Sequence, residues 1–237
     1  MGDVLDKLVA TQPTPPLYIV IVTAVLALGV VIWRPLWKPA RNIVTIAHEG
    51  GHALIALLTG RRLHGIRLHS DTSGLTMTYG SQRGPSAVFT LMAGYMAPAL
   101  IGLGASFLIS QGLIVMLLWA ILALLVAMAL FIRNVYGWIA MILTAFAVFA
   151  LVWWAPANVQ TAIAYGGAWF LLVGSVRPVA ETWTHRRRPG VERTTDPDQL
   201  AGITKIPAVV WIGMFYLVTL GSLVLGAKNL IGFSFPG

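Results

Sequence analysis

Asn42-Ile43-Val44-Thr45-Ile46-Ala47-His48-Glu49-Gly50-Gly51-His52-Ala53-Leu54-Ile55-Ala56-Leu57-Leu58-Thr59 is the stretch that decides how this chain is read. It is apolar over the roughly 17–25 residues that a helix needs to cross a bilayer. Yet two histidines and a glutamate sit near its middle. Charge near a bilayer centre costs at least ~2.5 kcal/mol on insertion scales, and nothing about helix formation asks for that cost. Glu49 is one of only three glutamates in the chain, and two of its five histidines flank it.

The rest of the chain has the same apolar character. Of 237 residues, 57% are hydrophobic and 10% charged, with a mean hydropathy of +0.80. Soluble domains carry about 25% charged residues. The expectation is an all-α integral membrane protein, a polytopic bundle of about six to seven transmembrane helices. It forms a single domain over 1–237. The net charge is +8, but the arginines lie in short segments between apolar runs. That is topogenic charge, not a nucleic-acid face. With no cysteine, any metal site must use histidine and carboxylate.

Apolar runs predict spans at about 17–33, 42–59, 86–109, 113–131, 135–154 and 159–176. A last helix opens at Asp196-Pro197-Asp198 and runs to about 226, with Pro207 inside it. Residues 1–16 read as a polar tail without the basic start of a cleaved signal peptide. Residues 177–199 read as a polar cytoplasmic loop. Residues 61–84 alternate instead: Ile66 and Leu68 with Arg67 and His69, then Leu75, Met77 and Tyr79 with Thr76 and Thr78. Ser70-Asp71-Thr72-Ser73-Gly74 between them is turn chemistry, so a small β-hairpin is expected between the second and third spans.

With a cytoplasmic N-terminus, twelve Lys and Arg fall inside against Arg34, Lys38, Arg41 and Lys228 outside. That split favours the N-terminus inside. Arginine-rich composition with abundant Ala, Gly and Val points to a bacterial inner membrane. Arg186-Arg187-Arg188 reads as a topology signal or an anionic-lipid contact.

His48 and His52 stand one helical turn apart on one face, so both imidazoles reach one metal. Glu49, three residues before His52, flanks that face and reaches water beside the metal without being a ligand. This is the arrangement of zinc hydrolysis, with Glu49 as base and proton carrier. Chance gives the pattern in roughly one of eight hundred such sequences. The alternative is a polar cluster gluing helices together. Gly50 and Gly51 allow a neighbouring helix or substrate to approach closely, or simply serve helix packing.

These residues, the hairpin after them and Ala93-Gly94-Tyr95-Met96-Ala97-Pro98 in the next span resemble the site-2 protease family of intramembrane metalloproteases. The resemblance covers about 40–137, and extends to 190–215 through a branch with an acidic pair before its last helix. It implies one Zn2+ per chain, His48 and His52 as ligands, Glu49 as base, an aspartate as third ligand, and a membrane-protein substrate cut in or near its transmembrane segment. The family's usual Asp-Gly pair is missing. Asn134-Val135-Tyr136-Gly137 stands without the family's proline and without a following aspartate. Asp3 and Asp6 lie in the tail, and Asp71 serves a turn. Asp196 is the expected third ligand, with Asp198 as second choice. Asp196 also reads as the N-cap of a helix whose first residue is Pro197. His64 and His69 are outside candidates, or plain interfacial residues. Asn134 is expected to hydrogen-bond unwound substrate backbone, or to serve as a helix-interface amide.

Two other function classes remain. A catalytically silent scaffold of the same fold has no need of Glu49. A metal transporter spreads polar residues over several spans, whereas here they concentrate on one.

Overall fold

The computed structural model describes residues 9–232. Asp3, Asp6, Lys7 and the first half of the expected tail lie outside the described residues.

Two helices, α1 (Leu17–Ile32) and α2 (Arg34–Leu58), meet at Trp33 with a bend of 101°. Trp33 is extended (φ −80°, ψ 110°) and Pro35 sits in the first turn of α2. There its missing N–H leaves no hydrogen bond unmade. The second helix therefore starts at Arg34, not near 42. Arg34, Lys38 and Arg41 lie in its opening turns instead of in a loop.

Strands β1 (Arg62–Leu68) and β2 (Gly74–Tyr79) form the antiparallel hairpin, with Ile66 opposite Thr76 and a bulge between Leu63 and Gly65. Asp71 closes the turn by accepting hydrogen bonds from the Ser73 amide (2.9 Å) and hydroxyl (2.7 Å). These bonds hold its carboxyl below the usual range. The far edge of β1 is also engaged. The Ile66 amide donates to Phe131 O (2.8 Å) and the Arg133 amide to Ile66 O (2.9 Å). Asn134 extends this pairing: its Oδ1 accepts from the Leu68 amide (3.2 Å) and its Nδ2 donates to the Leu68 carbonyl (2.7 Å). The hairpin is thus clasped to the junction of α4 (Ile114–Ala129) and α5 (Val135–Trp154).

The remaining helices are α3 (Pro85–Ser110), α6 (Ala157–Gly174), α7 (Val176–Arg186), α8 (Asp196–Thr204) and α9 (Ala208–Ile231). Among the described residues four runs are long and apolar enough to cross a membrane: α3, α5, α6 with α7, and α9. The bent pair α1–α2 makes a fifth if it is one span. Two features separate this number from the expected six to seven. The pair α1–α2 is bent, and α4 has 16 residues. At 1.5 Å per residue it covers about 24 Å, short of a ~30 Å hydrocarbon core.

Two further expectations are corrected. The polar segment after 176 is largely helical. It continues as α7, steadied by the Arg177–Glu181 pair one turn apart (3.0 Å), and only 187–195 are irregular. The last helix is two helices, not one. Lys205 adopts a left-handed conformation (φ 63°) and Pro207 caps the start of α9. A proline there lacks the N–H that would continue α8.

The helix ends sort into two levels. At one, Gln12 donates to Gln160 (3.0 Å) and accepts from Thr161 (2.6 Å), which places the start of α1 beside the start of α6. At the other, Arg177 donates to the Val31 carbonyl, Trp37 donates to Glu181 (3.2 Å), and Arg41 lies 3.6 Å from Glu181. Helices α1 and α6 therefore run parallel. Arg34, Lys38 and Arg41 share the end that carries the hairpin, α7 and α8. Every Lys and Arg among the described residues except Lys228 lies at that end. The expected split of charge between the two sides does not hold.

Candidate metal centre

Helix α2 presses its motif onto α3. A Cβ at Gly51 would lie 2.7 Å from the Ala93 carbonyl oxygen, so the two backbones meet here and only glycine fits. Gly50 differs, since a Cβ there would meet only Met128 Sδ at an ordinary 3.5 Å. Gly94 on α3 lies beneath both imidazoles. A Cβ on it would fall 2.6 Å from His48 Nε2 and collide with the His52 ring.

His52 Nδ1 lies 2.7 Å from the Thr90 carbonyl. A carbonyl only accepts, so Nδ1 carries a proton, and Nε2 is the ring nitrogen turned toward His48 and Asp196, the one placed to take a metal. His52 Nε2 stands 3.1 Å from His48 Nε2. The His48 ring meets Tyr95 edge-on at 4.9 Å. Tyr95 is itself fixed by its hydroxyl on Thr182 (2.5 Å) and by stacking on Phe215.

The third member comes from α8. Asp196 Oδ2 lies 3.2 Å from His48 Nε2 and 3.3 Å from His52 Nε2. It is buried and has no hydrogen-bond partner. Burial alone pushes the Asp196 carboxyl up. The neighbouring His52 and His48 outweigh that and hold it below the ordinary range, so it stays ionised. Three electron-pair donors thus face one another across edges of 3.1–3.3 Å. Tetrahedral zinc with bonds of about 2.0–2.1 Å spaces its ligand atoms about 3.3 Å apart. The donor set, its spacing and the orphaned carboxylate oxygen fit zinc. Among the described residues these three form the group able to hold a metal.

Asp198 points elsewhere. Its Oδ1 pairs with Arg186 and its Oδ2 accepts from Thr195 Oγ1 at 2.5 Å. The N-cap of α8 is Thr195, with Asp196 at the first helical position. The helix start therefore does not use the Asp196 side chain, contrary to the N-cap expectation. His64 packs edge-on against Tyr79 (5.1 Å), and His69 lies 3.3 Å from Ser73 Oγ in the exposed turn. Neither joins the group.

Glu49 is buried beside the imidazoles. Its Oε2 accepts from Thr76 Oγ1 at 2.6 Å. Its carboxylate lies against Gly74, where a Cβ would come within 2.6 Å of Oε1. A cavity of about 490 Å3 opens over Glu49, His48, His52 and Asp196, and residues 74–78 of β2 line it without interruption. Asn134, occupied with Leu68, does not line it. Thr76 as partner of Glu49, and Gly94 as the floor under the imidazoles, were not identified from the sequence. Gly94 lay inside the quoted Ala-Gly-Tyr motif. Thr90 acts through its backbone carbonyl, so no side-chain pattern announces it.

A family model described as Peptidase M50B-like matches residues 21–226. No curated protein and no solved structure matches the chain.

Proposed function

The chain belongs to the peptidase M50B-like branch of the site-2 protease family, and from that premise we propose an intramembrane zinc metalloendopeptidase. It hydrolyses a peptide bond in or near a transmembrane segment of a membrane protein. The observation that carries this reading is the triangle of His48 Nε2, His52 Nε2 and Asp196 Oδ2, with buried Glu49 beside it. Membership and the apolar helices make the chain a multi-pass membrane protein.

His48, His52 and Asp196 would hold the ion. Bound zinc would supply Lewis acidity, acidifying water and polarising a carbonyl. Glu49 takes the proton of the attacking water and passes it to the leaving amine as the C–N bond breaks. Thr76 occupies Oε2 and aims the carboxylate. Among the described residues no backbone group pairs with the outer edge of β2. Unwound substrate would add there as a strand, its peptide bonds drawn along the cavity. Asn134 contributes by holding β1, and with it β2, in place; a direct substrate contact would use its remaining amide hydrogen.

The basic end faces the cytoplasm by the positive-inside rule. The cavity then opens on the cytoplasmic side, and the start of α1 and end of α9 face the other way. This placement is the reverse of the cytoplasmic N-terminus expected from the sequence, whose count set Arg34, Lys38 and Arg41 opposite Arg177. With no native cysteine, single cysteines report the orientation. Asp71→Cys should label only in opened cells and Ser110→Cys in intact ones; the reverse would invert the placement.

Activity is tested by exposing a pool of single-span membrane proteins to purified enzyme. Cleavage that stops with a zinc chelator, returns with zinc and is absent in Glu49→Gln is the expected result. Equal cleavage by Glu49→Gln would refute the assigned base.

A further inference from the structure

We infer that Arg61 selects substrates carrying a carboxylate about two residues from the cleaved bond. This rests on the protease reading above. Arg61 follows α2 and is the one Lys or Arg among the residues lining the catalytic cavity. Its guanidinium is fixed by three bonds: Nε and Nη2 donate to Thr78 Oγ1 (3.3 and 3.2 Å), and Nη1 donates to the Ser81 carbonyl (2.6 Å). Among the described residues no aspartate or glutamate pairs with it. Of the five N–H donors on a guanidinium, two remain for a ligand. A fixed cation without an acidic partner, on the wall of a cavity, is a receptor for an anion.

The strand sets the register. Side chains two apart on a strand share a face and stand about 6.6 Å apart. Thr76 and Thr78 share such a face on β2. Thr76 reaches Glu49 and Thr78 reaches Arg61. A peptide paired with the outer edge of β2 repeats with the same period. When its scissile bond lies at the level of Thr76 and Glu49, a side chain at the level of Thr78 meets Arg61. The carboxylate comes from an Asp or Glu side chain or from a free C-terminus near the cut.

The experiment uses the full chain in detergent with zinc and a pool of synthetic apolar peptides randomised around a central segment. Half carry a C-terminal acid and half an amide. Cut sites are read by mass spectrometry. Wild type should cut sequences with Asp or Glu two residues from the bond about 10- to 100-fold more than their Asn or Gln counterparts. If the terminal carboxylate is the source, the preference follows the acid over the amide. Arg61→Lys should keep the preference. Arg61→Glu should turn it toward Lys and Arg with zinc content unchanged. A wild-type profile indifferent to acidic residues and to the terminus overturns the inference while leaving the protease reading intact. So does an Arg61→Lys profile that loses the preference with a fully folded, zinc-loaded protein. A wild type that binds zinc and cuts nothing removes the protease reading and the inference with it.

Discussion

His48 and His52 ride on a 25-residue helix whose backbone touches α3 at Gly51 and whose imidazoles rest on Gly94. Asp196 rides on nine-residue α8, between an irregular segment and the break at Lys205. The first half of the site is built by backbone contact inside the bundle. The second is delivered from a short element outside the candidate spans. Side chains hold it there: Leu200, fully buried among Val179, Ile212 and Phe215, and the Arg186–Asp198 pair. On the proposed reading, the rigid half would set where a metal lies, and the tethered half how tightly it is kept.

The largest expected effect falls on the rigid half. Glu49→Gln should lower turnover by about 10^2- to 10^4-fold with zinc content unchanged, read from cleavage and metal analysis on one preparation. Zinc loss in that variant would mean that Glu49 also shapes the ligand set. Next, the tether: Arg186→Gln and Asp198→Asn should each weaken zinc affinity about 10- to 100-fold, measured by competition with a chromophoric chelator. Wild-type affinity in both would leave the apolar contacts of Pro197 and Leu200 to hold α8 and break the comparison.

Smaller effects test the helix contact and the hairpin. Gly51→Ala forces α2 from the Ala93 carbonyl and should destabilise, whereas Gly50→Ala meets open packing and should gain up to ~1 kcal/mol of helix propensity. Thermal unfolding of the pair measures the difference, and equal behaviour would deny the close backbone approach. Asn134→Ala strands the Leu68 amide and carbonyl and should cost about 1–3 kcal/mol with zinc affinity unchanged. Altered affinity would tie the hairpin to the metal directly.

The rigid half was legible in the sequence because its pattern is local. Two histidines a turn apart with a glutamate between them need nothing beyond helix geometry. The hairpin was legible for the same reason, through period-two alternation and an Asx turn. Asp196 was named, but its competing role as N-cap dissolved only when Thr195 proved to hold that position. The bend at Trp33 carried a signal in Pro35, which marks a fresh helix start, but the apolar windows on either side hid it. The break at Lys205 and the helical run through Val176–Arg186 depend on packing against α9 and on Glu181 contacts with Trp37 and Arg41. No local window contains those partners. The shared level of Arg41 and Arg177 was hidden for the same reason, since they are far apart in sequence yet both meet Glu181.

The most direct test is zinc per chain in wild type, Asp196→Ala and Asp198→Ala, purified and dialysed against the same buffered zinc. The account predicts about one zinc in wild type, nearly one in Asp198→Ala when zinc is in excess, and little in Asp196→Ala. A full complement in Asp196→Ala, or its loss in Asp198→Ala alone, would contradict it.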